Sequence, residues 1–342
     1  MPVTVSQLAI APVKGMRLQC TGEVRLGQHG VTGDREFLVI GEDGQLLLTG
    51  QTPALMQIEP AWDRVRNVLT LGFPDGDVVQ DTPEPGAPAT TRMYDGREIP
   101  GWIIPGRLGA ALSGYLGQPV HLFKRAPEHI GNDDQPVTLM SQASLQALAP
   151  ELNGTAPDSR RFRMTITITG TDAWAEHAWH GQKVTIGEVI LRVIAPVPRC
   201  VVTTRNPESG ATDARILHAL ARLRGKNDIT FGVWCEILRP GRIHIGDVVV
   251  PRPRSHHPVN RPTGRPRRGR YQSPAPAITA STISGTSRRI SHPPQGPPSG
   301  RRPGGLLATQ PSSGAQAGEV GASDAISTLI AREQEAHAHG WG

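Results

Sequence analysis

The chain has 342 residues, with 36 Lys and Arg against 30 Asp and Glu, so it is long enough for two ordinary domains and carries a formal charge of +6. The twelve arginines and four acids after Pro251 give that stretch +8, which leaves the first 251 residues near −2. The sequence pI of about 9.7 therefore describes the end of the chain and not its body, and excludes the body as a generic nucleic-acid binder.

The opening MPVTVSQLAIAPVKG lacks the basic-then-apolar layout of a secretion signal, and no run approaches the ~18 apolar residues of a membrane helix. Cys20, Cys200 and Cys235 are too few and too irregular for a disulfide framework or a zinc site. A soluble, cytoplasmic protein is expected, with no membrane association.

In chain order, short β-patterned runs come first: VTVSQLAI, EVRLG, EFLVIG, QLLLTG, LMQIEPAW and NVLTLGF. GEDGQ between EFLVI and LLLTG is a hairpin signal. GRLGAALSGYLG predicts a short helix leading into the strand PVHLFKR. A boundary is expected at APEHIGNDD, residues 126–134. Beyond it, VTLM predicts a strand, and Ser141 begins the helix SQASLQAL. Strands are expected in RMTITITG and KVTIGEVILRVIAPV. DARILHALARLR places Ile216, Leu217, Leu220 and Leu223 on one helical side, and FGVWCEIL and GRIHIGDVVV close the pattern. Many short strands with few short helices predict a mainly β protein built from β-barrels. From Arg252 the sequence turns rich in Arg, Pro, Ser and Gly, a composition that does not bury enough apolar surface to fold. Residues 252–342 read as a disordered tail, with a short helix expected at 323–337. No aromatic ladder interleaves its arginines, so no specific nucleic-acid partner is expected.

The stretch PVPRCVVTTRNPESG follows an apolar strand and puts Cys200 where a strand runs out into a loop, the usual place for chemistry on a β scaffold. Arg199 beside it is expected to lower the thiol pKa and favour the thiolate. Thr203 and Thr204 offer hydroxyls a few residues on. A lone Cys is also often a buried small hydrophobe, and Cys235 within FGVWCEIL reads that way. His177 and His180 in EHAWH have no third ligand nearby and read as surface or packing histidines. Trp174 and Trp179 read as packing residues, and Gly232 as a site of close backbone approach.

Taken together, DDQPVTLMSQASLQAL, RFR, AEHAWHGQKVTIGEV, PRCVVTTRNPESG and FGVWCEILRPGRIHIGDVV resemble the MOSC domain, the C-terminal module of molybdenum cofactor sulfurases. APVKG, GVTGDREFLVIGEDG and LLLTGQTPALMQI resemble the β-barrel domain that precedes it. The whole is similar to the mitochondrial amidoxime-reducing component and its bacterial relatives. The resemblance implies domains at 1–125 and 126–251.

It also implies that Cys200 is a thiolate ligand to molybdenum carried by molybdopterin. Lys14, Arg35 and Arg163 would then hold the cofactor. Arg199 either orients the cysteine loop or meets the cofactor, and Thr203 and Thr204 serve either the cofactor or the loop backbone. His177 falls in a segment that lines the site in relatives. Three positions depart from the family pattern. Gly15 stands where a Lys-Ser pair is usual, Met164-Thr165 where Pro-Asn follows the arginine, and Pro198 where a serine precedes Arg-Cys.

The implied activity is reduction of small N-hydroxylated substrates. Because residues 252–342 hold no cysteine for an iron–sulfur centre, electrons are expected from a separate reductase or ferredoxin-like protein. The alternative is a molybdenum cofactor carrier that does not turn over substrate. No pyridoxal phosphate is expected.

Overall fold

The computed structural model describes residues 2–252; the tail from 253 onward, including the helix expected at 323–337, lies outside the described residues. The chain starts with β1 (Thr4–Ile10), β2 (Gln19–Thr21) and β3 (Glu23–Leu26). It continues with β4 (Phe37–Gly41), β5 (Glu59–Asp63), β6 (Val68–Gly72), β7 (Val78–Asp81), β8 (Pro88–Arg92) and β9 (Glu98–Ile104). Helix α1 (Arg107–Leu116) leads into β10 (Val120–Arg125). The second half contains β11 (Val137–Ser141), α2 (Gln142–Gln146), β12 (Ile166–Thr169), α3 (Ala175–Ala178), β13 (Lys183–Ile186) and β14 (Val189–Pro198). It closes with α4 (Ile216–Arg224), β15 (Thr230–Arg239), β16 (Gly241–His244) and β17 (Val249–Arg252). The protein is mainly β, with short helices.

Two sheets belong to the first half, in the orders β4-β10-β9-β8 and β5-β6-β7. Their alternating strands bury Phe37, Val39, Leu69, Leu71 and Leu122 in one core, and α1 contributes Leu108 and Leu112 to it. The large sheet runs β17-β13-β14-β15-β11-β12-β1-β2. It therefore includes the start of the chain. Leu8 of β1 faces Ile166 of β12, and Val24 of β3 faces Ile243 of β16. β1 and β3 thus pair with strands beyond residue 126, whereas Val13 and Met16 between them join the first-half core.

Two expected strands are interrupted. The chain turns at Gly41–Gly44 and returns with Leu47 N–H on the Val39 carbonyl. Only the Ile40–Leu46 bridge forms after that, because the next turn begins at Leu48. In LMQIEPAW, Pro53 starts a 3-10 turn over Pro53–Gln57, which delays β5 to Glu59. The helix expected in DARILHALARLR is α4. Ile216, Leu217 and Leu220 are buried, whereas Leu223 is 41% exposed, because the helix ends one residue later.

A second apolar cluster lies between α2, α4 and the large sheet. Phe162 stacks on Phe231 with centroids 4.0 Å apart, and Ile216 and Leu220 close over them. Gly232 adopts φ +66°, and a Cβ there would sit 2.5 Å from Met164 Cε and 2.8 Å from the Leu139 carbonyl. That is the close approach expected of it.

Buried Glu176 ties α3 to β11 and α2. Its carboxylate accepts the Ser141 N–H at 3.1 Å and the Ser144 hydroxyl at 3.0 Å, and Ser144 Oγ in turn accepts the Trp174 N–H at 2.7 Å. Burial pushes its carboxyl above the ordinary range. Glu176→Ala removes both acceptors and is expected to cost about 1–3 kcal/mol in urea unfolding. Glu176→Gln keeps an acceptor for Ser141 N–H and should cost less. A raised carboxyl favours the protonated fold, so wild type loses ground to Glu176→Gln as pH rises through the folded value.

Candidate functional site

The site grows from the turn after Val31. Asp34, 4% exposed, accepts the Ala11 N–H at 2.7 Å and pairs with Arg35 at 2.5 Å, and Asn132 Nδ2 reaches it at 3.4 Å. Arg35 has φ +48° and Arg163 φ +53°. Both are non-glycine residues in the left-handed region, a strain that persists where surrounding structure fixes it and that marks functional sites. The two are joined directly: Arg35 Nη2 donates to the Arg163 carbonyl at 3.3 Å. Arg163 Nη2 donates to the Met16 carbonyl at 2.7 Å, the one hydrogen bond its guanidinium makes among the described residues.

Lys14 closes the group. Its Nζ donates to the Gly131 carbonyl at 3.2 Å and pairs with Asp133 at 2.5 Å. Desolvation holds its pKa below the ordinary lysine value, with Arg35 and Arg163 pushing the same way against Asp133. Arg163 falls to about 10, first through burial and then through Arg35. Arg163 remains charged at neutral pH. The connector that carries Asp133 is held by buried Arg125, which donates to the carbonyls of Asp34, Arg35, Ala126, Pro127 and His129.

The cysteine loop forms the facing wall. β14 ends at Pro198, and Cys200 precedes a 3-10 turn over Val201–Thr204. Arg199 is 8% exposed and spends its guanidinium on the Phe231 and Phe162 carbonyls and on Met164 Sδ. It anchors the loop to the second apolar cluster. Thr203 Oγ1 donates to the Cys200 carbonyl at 2.9 Å and Thr204 Oγ1 to the Val201 carbonyl at 2.6 Å, so both hydroxyls shape the turn. Of the two roles the sequence left open for Arg199, Thr203 and Thr204, the contacts seen are those of loop architecture.

The first half touches this loop. Arg205 donates to the Gly50 carbonyl at 2.8 Å, and Arg17 pairs with Glu208 at 2.8 Å. A Cβ on Gly210, at φ +70°, would lie 2.6 Å from the Pro53 carbonyl.

Cys200 itself is exposed. Adjacent residues of extended backbone point to opposite faces, so burying Arg199 turns Cys200 outward. Its thiol nevertheless stands above the ordinary value, because the surrounding protein desolvates it more than Arg199 favours the thiolate. Arg199 pulls in the expected direction, but the net shift is upward and not the lowered thiol expected from the sequence. A group reachable by solvent and still desolvated lies in a concave cleft, and the same holds for Asp133, whose side chain is 55% exposed. Asp133 connects the two walls: it lies within electrostatic range of Arg35 and Arg163 on one side and of Arg199 and Cys200 on the other. The structure thus brings Lys14, Arg35, Arg163 and Cys200 around one acid that the sequence analysis did not single out. Its only sequence signal was the Gly-Asn-Asp-Asp run.

His177 lies outside this group. It packs edge-on against Trp174 with centroids 5.7 Å apart, and burial, then Arg224, lowers its pKa to about 4. Trp174 in turn meets Phe231 and the Arg224 guanidinium, and Trp179 is buried in the core of the large sheet. Two surface depressions, of about 380 and 750 Å³, share no residue with the cleft and contain no soft donor.

The structure thus sets a strand-end thiol and a group of cations around one acid on two β-rich halves. The MOSC domain matches residues 126–250 and the MOSC N-terminal beta barrel domain residues 2–96. The chain is 31% identical to mitochondrial amidoxime-reducing component 1 of Xenopus laevis over 72% of this chain and 81% of that one. It is 27% identical to the human protein of that name over 72% and 82%. Human molybdenum cofactor sulfurase is 22% identical, over 73% of this chain and 32% of that longer one. The chain belongs to the MOSC domain family.

Desolvation of Cys200 makes a prediction for the cofactor-free protein. Its alkylation by iodoacetamide, followed on the Cys200 peptide by mass spectrometry, should still be accelerating above pH 9, since only the thiolate reacts. A plateau below pH 8 would show a lowered thiol instead.

Proposed function

We propose that this protein binds molybdenum cofactor in the cleft and reduces N-hydroxylated small molecules with electrons from a separate protein. The observation that carries the reading is an exposed Cys200 thiol that shares Asp133 as an electrostatic neighbour with Lys14, Arg35 and Arg163. Among the described residues no three His, Cys, Asp or Glu gather to cage a metal. A metal at Cys200 would thus bring its other ligands with it, as one held by a pterin dithiolene does. The residues fit such a group. A soft sulfur is available for the metal, and Lys14 and the unpartnered part of Arg163 are available for a phosphate.

When bound, the cofactor supplies the two-electron chemistry. The chain's residues do the rest. Cys200 would hold the metal as thiolate, so it would have to lose its proton first, and its desolvation would make that loss strongly pH-dependent. Arg199, Thr203 and Thr204 keep the loop in one conformation, so the sulfur is pre-aimed. Arg35, paired with Asp34, holds the Arg163 carbonyl and so keeps Arg163 in place beside Lys14 and Asp133. The net reaction breaks one N–O bond with two electrons and two protons, and releases the oxygen as water.

Molybdenum measured by mass spectrometry on protein from a cofactor-producing host should approach about one per chain and fall to background in Cys200→Ala. Turnover of a hydroxylamine or amidoxime with an artificial electron donor should accompany it. Metal without turnover would mark a carrier, and no metal in the wild type would refute both.

A further inference from the structure

Asp133 is the one acid among the cleft cations that has no structural duty of its own. Asp34, by contrast, holds Ala11, Arg35 and Asn132. The Asp133 backbone is fixed on both sides. Arg97 Nη2 donates to the Asn132 carbonyl at 2.8 Å and to the Asp133 carbonyl at 2.9 Å. Asn132 Nδ2 donates to the Pro136 carbonyl at 3.2 Å, and a Cβ on Gly131 would lie 2.4 Å from the Arg35 carbonyl. Only the side chain is free to move. It is 55% exposed, and its carboxylate meets Lys14 Nζ at 2.5 Å. Desolvation alone would raise its pKa, but Lys14, followed by Arg35 and Arg163, holds it below the ordinary carboxylate range. The side chain is therefore an anion held in place by the cations that any incoming anion would need.

We propose that Asp133 is a side-chain latch: its carboxylate occupies Lys14 and rotates away when a phosphate-bearing ligand takes its place. The proposal rests on the reading of the cleft as a phosphate site. Its physical content is a competition. While Lys14 is engaged by Asp133 only a fraction of molecules is ready to bind, and the apparent affinity falls by that fraction. The latch discriminates against weak monoanions that cannot outcompete a tethered carboxylate. No loop closure is needed, since one rotation about the Asp133 side chain clears the site.

The neighbouring Asp134 supplies the control. It carries the same charge one residue away, but its side chain accepts from Gln135 at 3.2 Å, whereas Lys14 pairs with Asp133. Full-length protein from a host that does not make the cofactor would be titrated with inorganic phosphate by calorimetry, in a buffer free of other multivalent anions. Asp133→Asn should bind phosphate about fivefold more tightly than wild type, the scale of one partly exposed ion pair removed. Asp134→Asn should match wild type, and Lys14→Met in the Asp133→Asn background should lose the gain. Matching thermal melts of wild type and Asp133→Asn without phosphate would show that the fold is kept. Equal gains in Asp133→Asn and Asp134→Asn would reduce the effect to net charge and overturn the latch, as would unchanged or weaker binding in Asp133→Asn. Absence of phosphate binding in every variant would overturn it too. A gain confined to Asp133→Asn in a protein that never acquires molybdenum would sustain the latch and sink the cofactor reading.

Discussion

Asp34 ties together three segments distant in sequence. Its buried carboxylate takes the Ala11 N–H after β1, the Arg35 guanidinium in the turn before β4, and the Asn132 amide in the connector. Taking a carboxylate and a guanidinium out of water is costly, and here the cost is offset because every partner is fixed by backbone of its own. Arg125, buried beside it, braces five carbonyls from the same turn and connector. From that knot the cationic wall follows. Arg35 reaches the Arg163 carbonyl, Arg163 reaches Met16, and Lys14 reaches Gly131.

The other wall is built on a different principle. Arg199 is sunk into the second apolar cluster, and the hydroxyls of Thr203 and Thr204 close the turn. A thiol held at the end of this turn needs no partner among side chains. The two walls meet because the first strands of the chain complete the large sheet and because Gly50 and Pro53 rest on the cysteine loop. A cleft with rigid backbone on both sides and movable charged side chains inside suits a large, polar, anionic ligand better than an apolar one.

Much of this was legible before any coordinates. Strand alternation located β1, β4, β10, β11, β14 and β15, and Ser141 announced α2, because these signals are local. The strand-end position of Cys200 was legible for the same reason. What sequence alone does not carry is long-range pairing. That β1 belongs beside β12 is a matter of which distant edge it completes. The thiol's environment was misjudged through the same limitation: Arg199, next to Cys200 in sequence, does favour the thiolate, but the desolvation that the fold imposes on the sulfur outweighs it. Asp133 stayed hidden because a carboxylate in a Gly-Asn-Asp-Asp loop reads as solvated until the fold sets Lys14 against it. Gly15, a departure from the family pattern, becomes intelligible in the fold: at φ +91° any Cβ would lie 2.8 Å from Thr49 Oγ1.

The central claim is that one sulfur and one cationic wall hold the same ligand. The most direct measurement is a crystal structure of cofactor-loaded protein with anomalous data collected at the molybdenum edge. The account predicts an anomalous peak within bonding distance of Cys200 Sγ, with phosphate density against Lys14 and Arg163. A peak remote from Cys200, or a ligand whose phosphate turns away from those cations, would contradict it.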